Sequence, residues 1–241
     1  MGLLDVVGPV MIGPSSSHTA GACRLALLAR HARLTPPTRV TFTLHGSFAK
    51  TAQGHGTDVA LVAGMLGLQP DDPKLPDAFD LAKEAGLDVV FDQADLGDVH
   101  PNTVRIVSAG EPGEGGEGET VSVTGSSIGG GLVRVFDVNG FGIDFTGASH
   151  TLLVRHEDRP GVIARVARVI ADDEGNIATL HSARKRKGGD AMMSIEMDRR
   201  LSQVALDYLA SVSYVHWLRM LPEVLSGDGV PEPDEDGQVH A

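Results

Sequence analysis

Hydrophobic and polar residues follow regular patterns over the last third of the chain. Apolar residues between Val162 and Asp172 recur at the three- and four-residue spacing of an amphipathic helix. Along Ala191–Asp198 apolar and polar residues alternate as in a half-buried strand, and Gly188-Gly189 precedes it as a hairpin turn. These patterns predict a βαββαβ order, which is typical of a ferredoxin-like unit. The predicted elements are Thr151–Arg155, Val162–Asp172, Asn176–Arg184, Ala191–Asp198, Leu201–Ala210 and Val212–Leu221.

The first 147 residues mix predicted helices with predicted strands. Ala20–Leu34 is predicted as a helix that ends before Thr35-Pro36-Pro37, and Asp58–Leu68 as a second, Ala- and Gly-rich helix. We therefore expect an α+β protein, with a mixed α/β domain over residues 1–147 and a ferredoxin-like domain over residues 148–225. The predicted strands of the first domain are Val40–His45, Val104–Val107, Val121–Thr124, Gly131–Val138 and Gly142–Phe145.

Three segments rich in Pro, Gly or acidic residues interrupt these patterns. Gln69–Asp80 has three prolines and four aspartates and is predicted to be a loop between helices. Ala109–Glu119 is Gly- and Glu-rich between strand-like runs, which predicts a mobile hairpin tip. Residues 226–241 are acidic and rich in Pro and Gly, which predicts a disordered acidic tail.

Composition narrows the function classes. The net charge of −12 over 241 residues argues against nucleic-acid binding, which needs a basic face. No apolar run reaches the roughly 20 residues that span a bilayer, and the N-terminus lacks the basic region of a signal peptide. We expect a cytoplasmic protein. The single cysteine, Cys23, excludes an internal disulfide and a complete iron–sulfur site within this chain; we interpret it as a packing residue.

The sharpest chemical signal lies just before the first predicted helix, in Gly13–Gly21. Hydroxyls and backbone N–H groups at a helix start favour an anion such as a carboxylate. His18, within this group, is suited to proton transfer near neutral pH. Plain helix capping needs one hydroxyl, so we favour a ligand site. The hydroxyls belong to Ser15, Ser16, Ser17 and Thr19.

Three further segments are weaker candidates. His45–Asp58 ends at a helix start, and Gly54 and Gly56 around His55 allow close backbone approach to a ligand; Thr57 or Asp58 acting only as a cap is the alternative. Ser126–Gly131 suits either an anion-binding loop or a flexible entry to a strand. His100–Thr103 is interpreted as a polar turn.

The sequence lacks the motifs of three common enzyme classes: zinc proteases, P-loop enzymes and serine hydrolases. The His-Glu-x-x-His zinc spacing and the Gly-x-x-x-x-Gly-Lys-Ser/Thr phosphate loop are both absent. Gly-x-Ser-x-Gly is absent too, and the adjacent Ser17 and His18 would rarely place a nucleophile against its base. A serine hydrolase is therefore a weak third interpretation.

At four segments the sequence resembles the beta chain of bacterial iron–sulfur L-serine dehydratase. They occur in that family's order, and the first two are specific to it. Thr151–Leu221 also resembles an ACT regulatory domain. The resemblance covers most of the chain, apart from the Glu-rich tip and the acidic tail. The four segments are Leu3–Gly21, His45–Leu61, His100–Val104 and Ser127–Gly131.

The resemblance implies an L-serine ammonia-lyase that removes water from L-serine to give aminoacrylate, which becomes pyruvate and ammonia. It implies no pyridoxal phosphate. It implies instead a [4Fe–4S] cluster that cysteines of a partner alpha chain ligate and that acts as a Lewis acid on the serine hydroxyl. The single cysteine here is in keeping with that division between the chains.

The resemblance also implies roles for individual residues. Carried over by position, His18 is the base that takes the Cα proton. Because the family's N-terminal domain is named for a proposed allosteric substrate site, some Gly-rich segments could bind serine as an effector instead. The implied substrate-binding residues are Ser15, Ser16, Ser17, Thr19, His55, Gly56 and Thr57, and no metal ligand is expected in this chain.

The ACT-like region resembles the serine-binding ACT domain of phosphoglycerate dehydrogenase at His156–Gly161 and Asn176. The implied ligand residues are His156, Asp158, Gly161 and Asn176. Asp158 stands where that pattern has Asn, and a carboxylate would repel a substrate carboxylate, which weighs against serine as the ligand. A simple strand-to-helix turn is the alternative. ACT domains usually pair edge to edge, so we expect self-association after Thr151.

A second function class remains open from the sequence. An amino-acid sensor, with an ACT module on a binding domain and no catalysis, would show the same ACT pattern. A partner chain with cluster-spaced cysteines would favour the enzyme, whereas tight amino-acid binding without such a partner would favour the sensor. The expected partners of the enzyme are the alpha chain and L-serine, without nucleic acid or membrane.

Overall fold

The computed structural model describes residues 10–52, 54–110 and 118–225. Part of the Leu3–Gly21 segment, the centre of the predicted hairpin tip and the predicted acidic tail lie outside these residues. None of the helices that the described residues form is long and apolar enough to span a bilayer.

The first part of the chain forms a six-stranded sheet packed against helices. The strand order is β2-β1-β3-β4-β5-β6, in which only β1 and β2 are parallel. Buried residues alternate with more exposed ones along β3 and β5, because one face of the sheet meets the helices. The strands are β1 Arg39–Leu44, β2 Asp88–Gln93, β3 Thr103–Ala109, β4 Thr120–Gly129, β5 Leu132–Val138 and β6 Phe141–Phe145.

The helices of this part are short, and two of them cross closely. A π-helical turn, Ser16–Gly21, runs directly into α1, which is buried over most of its length. Gly64 of α3 lies against the backbone carbonyl of Cys23, so a side chain there would collide with α1. The helices are α1 Ala22–His31, α2 Gly46–Thr51, α3 Thr57–Leu66 and α4 Ala78–Glu84, with a 3-10 turn at Leu75–Asp77.

The last part of the chain has the predicted βαββαβ order. Its four strands are arranged β10-β7-β9-β8, the antiparallel order of a ferredoxin-like sheet. Helices α5 and α6 cover one face through a core that includes Val166, Leu209 and Ile195. The predicted fold class is thereby confirmed. The elements are β7 His150–Glu157, α5 Val162–Asp172, β8 Ile177–Arg184, β9 Asp190–Met197, α6 Gln203–Ser211 and β10 Val215–Leu221.

The other face of this second sheet packs against the first part of the chain. Leu153 and Met192 belong to the same hydrophobic core as the six-stranded sheet. Glu196 accepts hydrogen bonds from the Thr146 backbone N–H, 2.9 Å, and from the Thr179 hydroxyl, 2.8 Å. The two parts therefore share a buried, hydrogen-bonded interface, and the division at residue 147 stays a prediction.

Several predicted boundaries differ from the structure. The helix predicted as Ala20–Leu34 starts earlier, as the π-helical turn from Ser16, and α1 ends at His31. The loop predicted at Gln69–Asp80 contains a 3-10 turn and the start of α4, because Leu75 and Ala78 are buried in the core. Helix α2 and strand β2 were not predicted, since each is only six residues long and local patterns over so few positions are weak.

Candidate active site

The π-helical turn places His18 at the N-terminal end of the first helix. Ser15, in an extended conformation, caps the turn by accepting a hydrogen bond from the His18 backbone N–H, 3.3 Å. The Thr19 N–H donates to the Ser15 carbonyl oxygen, 2.8 Å. π-helical turns often mark functional positions in helices. This one brings the backbone and the side chain of His18 together around a single serine hydroxyl.

The imidazole of His18 lies between two serine hydroxyls. Its Nδ1 is 3.2 Å from Ser15 Oγ and its Nε2 is 3.3 Å from Ser47 Oγ. The ring also meets Phe48 edge-on, with centroids 5.4 Å apart, and His55 at a tilt, with centroids 5.1 Å apart. Four neighbours therefore limit the position of the ring.

The environment of His18 favours its neutral form. Partial burial lowers the pKa of its imidazole, and the nearby His55 lowers it further by like-charge repulsion. A neutral imidazole near pH 7 can accept a proton, as a general base must.

The other predicted substrate-binding residues fall into two groups. Ser16 and Ser17 are half-buried in the turn, and His55 is exposed beside His18. Thr19 and Thr57 are buried, and their hydroxyl oxygens have no hydrogen-bond partner among the described residues. Gly56 precedes α3 with a φ of 69°, a left-handed conformation that glycine adopts readily. Of these residues, His55 contacts the imidazole directly, Ser16 and Ser17 lie beside His18 in the turn, and Thr19 and Thr57 are buried.

Two residues that contact His18, Ser47 and Phe48, were not predicted as site residues from the sequence. Both lie at the start of α2, within the segment His45–Asp58 that the sequence had marked as a candidate. The missed signal was the His-Gly-Ser run before an unpredicted helix. Ser47 and His18 are 29 residues apart, so only the folded chain shows their contact.

The β4–β5 hairpin lies on another side of the π-helical turn. Ser127 is fully buried against Gly21, and Arg24 Nη1 donates to the Gly131 carbonyl oxygen, 2.8 Å. The Ser127 hydroxyl has no partner among the described residues. The segment Ser126–Gly131 is therefore the end of a strand and its turn, and Arg24 holds that turn against α1.

The donor atoms of the described residues are not arranged as ligands of a metal cluster. Cys23 is buried, its thiol donates to the Leu68 carbonyl oxygen, 3.2 Å, and burial raises the pKa of the thiol to about 12. Within residues 10–52, 54–110 and 118–225, no three His, Cys, Asp or Glu side chains are grouped as metal ligands.

The predicted ligand residues of the ACT-like part lie at two ends of one strand. Asp158 accepts hydrogen bonds from Gly188 N–H, 2.9 Å, and Arg184, 3.0 Å, and both lower the pKa of its carboxyl group. Asn176 donates to Asp198, 2.8 Å, just before β8. Because β8 has eight residues, these places are roughly 23 Å apart.

The remaining two predicted ligand residues lie at the Asp158 end. His156 is buried, and its Nδ1–H donates to the Glu157 carbonyl oxygen, 2.6 Å, while its Nε2 has no partner among the described residues. Gly161 precedes α5 with a φ of 87°. One chain therefore does not bring all four residues into a single pocket.

Known proteins are similar to this sequence over most of its length. Residues 4–85 match the family model "Serine dehydratase beta chain", and residues 150–211 match "ACT domain". The L-serine dehydratase beta chain of Peptoniphilus asaccharolyticus is 42% identical over 83% of this chain and 88% of that protein. The chain belongs to the L-serine dehydratase beta chain family.

Other relatives agree with this family membership. The probable L-serine dehydratase beta chain of Bacillus subtilis is 41% identical over 87% of this chain and 93% of its own length. D-3-phosphoglycerate dehydrogenase of the same organism is 31% identical over 73% of this chain but only 33% of that enzyme. The expected beta chain with an ACT domain is confirmed, and the sensor interpretation is not favoured.

Proposed function

We propose that this chain provides the proton acceptor and the substrate-holding loop of a two-chain L-serine dehydratase. The partner alpha chain, in this proposal, ligates the [4Fe–4S] cluster. The observation that carries the proposal is the imidazole of His18, held between Ser15 and Ser47 at the N-terminal end of the first helix, with a pKa that burial and His55 lower. The beta chain names of the relatives from P. asaccharolyticus and B. subtilis support the existence of an alpha chain partner.

The lone cysteine supports the assignment of the cluster to the other chain. A buried thiol with a pKa near 12 stays protonated, whereas a cluster ligand must be a thiolate. The cluster supplies a Lewis acid for the departing hydroxyl group when it is bound. All steps assigned to this chain concern binding and proton transfer.

Ser15 and His18 provide the proton acceptor. The Ser15 oxygen is near both the backbone N–H and Nδ1 of His18, and its two lone pairs can accept from both. This arrangement places the ring proton on Nδ1, so that Nε2, which faces the rotatable Ser47 hydroxyl, is the unprotonated nitrogen that takes the Cα proton of L-serine. The Cβ–O bond then breaks and the hydroxyl leaves with a proton as water, which gives aminoacrylate; hydrolysis of aminoacrylate yields pyruvate and ammonia.

The start of the helix provides the binding site for the substrate carboxylate. Ser16 and Ser17 are half-buried, and neither side chain is hydrogen-bonded within the described part of the chain. The unpaired N–H groups of the turn carry the positive end of the helix dipole, which attracts a carboxylate despite the acidic protein. His55, Gly56 and Thr57 complete the proposed site on the side of α3.

The ACT domain is proposed to act on this site through α1. Beyond the C-terminal end of α1, the Ala32 carbonyl oxygen accepts a hydrogen bond from Arg219 Nε of β10, 3.2 Å. Arg219 also pairs with Glu119, which accepts from Trp217 Nε1 at 2.8 Å. The helix that begins at the His18 turn is therefore held at its other end by the last ACT strand.

Self-association of the ACT domain is part of the proposal. Strand β8 lies at the edge of its sheet, and most of its residues are exposed. Antiparallel pairing with β8 of a second copy would place Asn176 of one copy near Asp158 of the other. That arrangement supports a ligand site shared between two copies.

Anaerobic pyruvate formation from L-serine tests the main proposal. We expect no activity from this chain alone and activity when it is mixed with an alpha chain that carries a reconstituted cluster. The mixture is checked for assembly by size-exclusion chromatography. An assembled pair with an intact cluster but no activity would contradict the proposal and favour the sensor.

Glu119→Gln tests the link between the ACT domain and α1. The change leaves an acceptor for Trp217 but removes the charge that pairs with the buried Arg219. We expect stability to fall by about 1–2 kcal/mol, because one partner of a largely buried ion pair is left alone, and the KM for L-serine to change several-fold. Urea unfolding and steady-state kinetics measure the two effects.

Glu174→Gln is the matched control for this link. Glu174 is exposed and pairs with Arg199 at 3.7 Å, so its replacement should change neither stability nor KM appreciably. Unchanged kinetics in Glu119→Gln, despite lower stability, would contradict a path from β10 to the active site.

A further inference from the structure

We propose that Ser47 is a positioning residue for His18, and that the turn at Pro101 holds Ser47 in place. The inference rests on the proposed role of His18 as the base. It also gives a role to the segment His100–Thr103, for which the local sequence pattern indicates only a polar turn.

The Ser47 hydroxyl can form a hydrogen bond with Nε2 of His18 in both protonation states of the ring. If Nδ1–H donates to Ser15, the Ser47 hydroxyl can donate to the Nε2 lone pair across 3.3 Å in the neutral form. Once Nε2 has taken a proton, the same hydroxyl can rotate and accept from Nε2–H. Ser47 therefore serves both charge states of His18 without moving its backbone.

The second of these bonds is the stronger. A hydrogen bond to a charged imidazolium is roughly twice as strong as one between neutral groups. Ser47 consequently stabilises the protonated His18 more than the neutral one, and its loss should lower the pKa of His18 further.

The backbone of Ser47 is fixed from outside its own helix. The Pro101 carbonyl oxygen accepts from Ser47 N–H, 2.7 Å, and from Phe48 N–H, 3.4 Å. Thr51 Oγ1 donates to the Ser47 carbonyl oxygen, 2.9 Å, and so holds it from the other side. Nearby, His45 N–H donates to the Thr103 carbonyl oxygen, 3.0 Å. The turn thus provides the acceptors that the first N–H groups of α2 lack within the helix.

Gly46 explains how the turn can approach so closely. Its φ is 55°, and a Cβ there would lie 2.7 Å from the Pro101 carbonyl oxygen and 2.9 Å from Pro101 Cα. Glycine alone satisfies both the left-handed conformation and the close contact. The Gly46-Ser47 pair is therefore built to place one hydroxyl against the imidazole.

Few charged groups compete with Ser47 for control of His18. Among the described residues, His55 is the charged group that lowers the pKa of His18. Other ionisable side chains around the turn have different partners or are exposed: His45 Nδ1 accepts from Leu96 N–H, 3.1 Å, and His100 Nδ1 accepts from Asn102 N–H, 3.1 Å. Arg24 donates to Gly131, Asp58 accepts from Val59 N–H, Arg134 pairs with Asp144, and Lys50 is exposed.

The test compares Ser47→Ala with Ser47→Thr, which keeps the hydroxyl. Ser211→Ala, at an exposed position at the end of α6, is the control. Anaerobic kcat and KM are measured across pH with the assembled enzyme, and the His18 ring is titrated by NMR in the full chain. For Ser47→Ala we expect a roughly tenfold loss of kcat, with KM within about twofold. We also expect a lower His18 titration midpoint, and recovery of both properties in Ser47→Thr.

Two results would overturn the proposal. One is an unchanged His18 titration in a folded Ser47→Ala chain. The other is a higher KM with normal kcat, which would make Ser47 a binding residue only. Failure of the main proposal is separate, because it would appear as turnover in His18→Ala, while the NMR titration needs neither the alpha chain nor activity.

Discussion

His18→Ala should lower kcat for L-serine by about 10²–10⁴-fold in the assembled enzyme, the range expected when a general base is removed. The expectation follows from the position of the ring, since both its nitrogens face serine hydroxyls at the N-terminal end of the helix. Folding should be little affected, because His18 is only partly buried and lies outside the hydrophobic cores. Assembly with the alpha chain is measured in parallel by size-exclusion chromatography.

The pH dependence of the unmodified enzyme checks the same assignment. His18 must be unprotonated to accept the Cα proton, so kcat/KM should rise as pH increases through its pKa. Because burial and His55 lower that pKa, the rise should be complete at a lower pH than an ordinary histidine would give.

The control for His18→Ala is His181→Ala, at an exposed position on β8. It should keep normal turnover. Added imidazole should partly restore the activity of His18→Ala, because the small base can enter the vacated space. Near-normal turnover of an assembled His18→Ala enzyme would remove His18 from the mechanism.

Gly64→Ala should destabilise the chain by about 2–3 kcal/mol. In a helix interior, alanine is normally more favourable than glycine by up to about 1 kcal/mol. Helix propensity alone therefore predicts that this change would stabilise the chain. Here, however, the new Cβ would collide with the Cys23 carbonyl oxygen and lie 2.8 Å from Ala26 Cβ. Backbone cannot rotate aside as a side chain can, so α1 and α3 would have to separate and lose packing.

Urea unfolding monitored by circular dichroism measures this effect. Gly142→Ala is the matched control, because its Cβ would meet open space on β6. We expect it to stay within about 0.5 kcal/mol of the unmodified chain. Equal stability of the two variants would show that α1 and α3 tolerate a wider separation. Since α1 continues from the His18 turn, Gly64→Ala should also reduce turnover.

Local patterns in the sequence were sufficient for the ACT fold and for the position of the His18 loop. Apolar residues recur every second position along β9 and every three to four positions along α5. These spacings join residues that are close in the sequence, so they can be identified without a structure. The four hydroxyls around His18 marked a helix start for the same reason. The single cysteine likewise excluded a complete cluster site without any structure.

Tertiary structure decided the details that require distant residues to meet. Ser47 reaches His18 from 29 positions away, and Arg219 reaches Ala32 from 187. The structure also separated Asp158 from Asn176, which a common ligand pattern had grouped together. Such contacts depend on how strands are ordered in the two sheets and on which face each helix covers. Neither the order of the strands nor the face that each helix covers produces a periodic pattern in the sequence. Only the tertiary structure could therefore show these contacts.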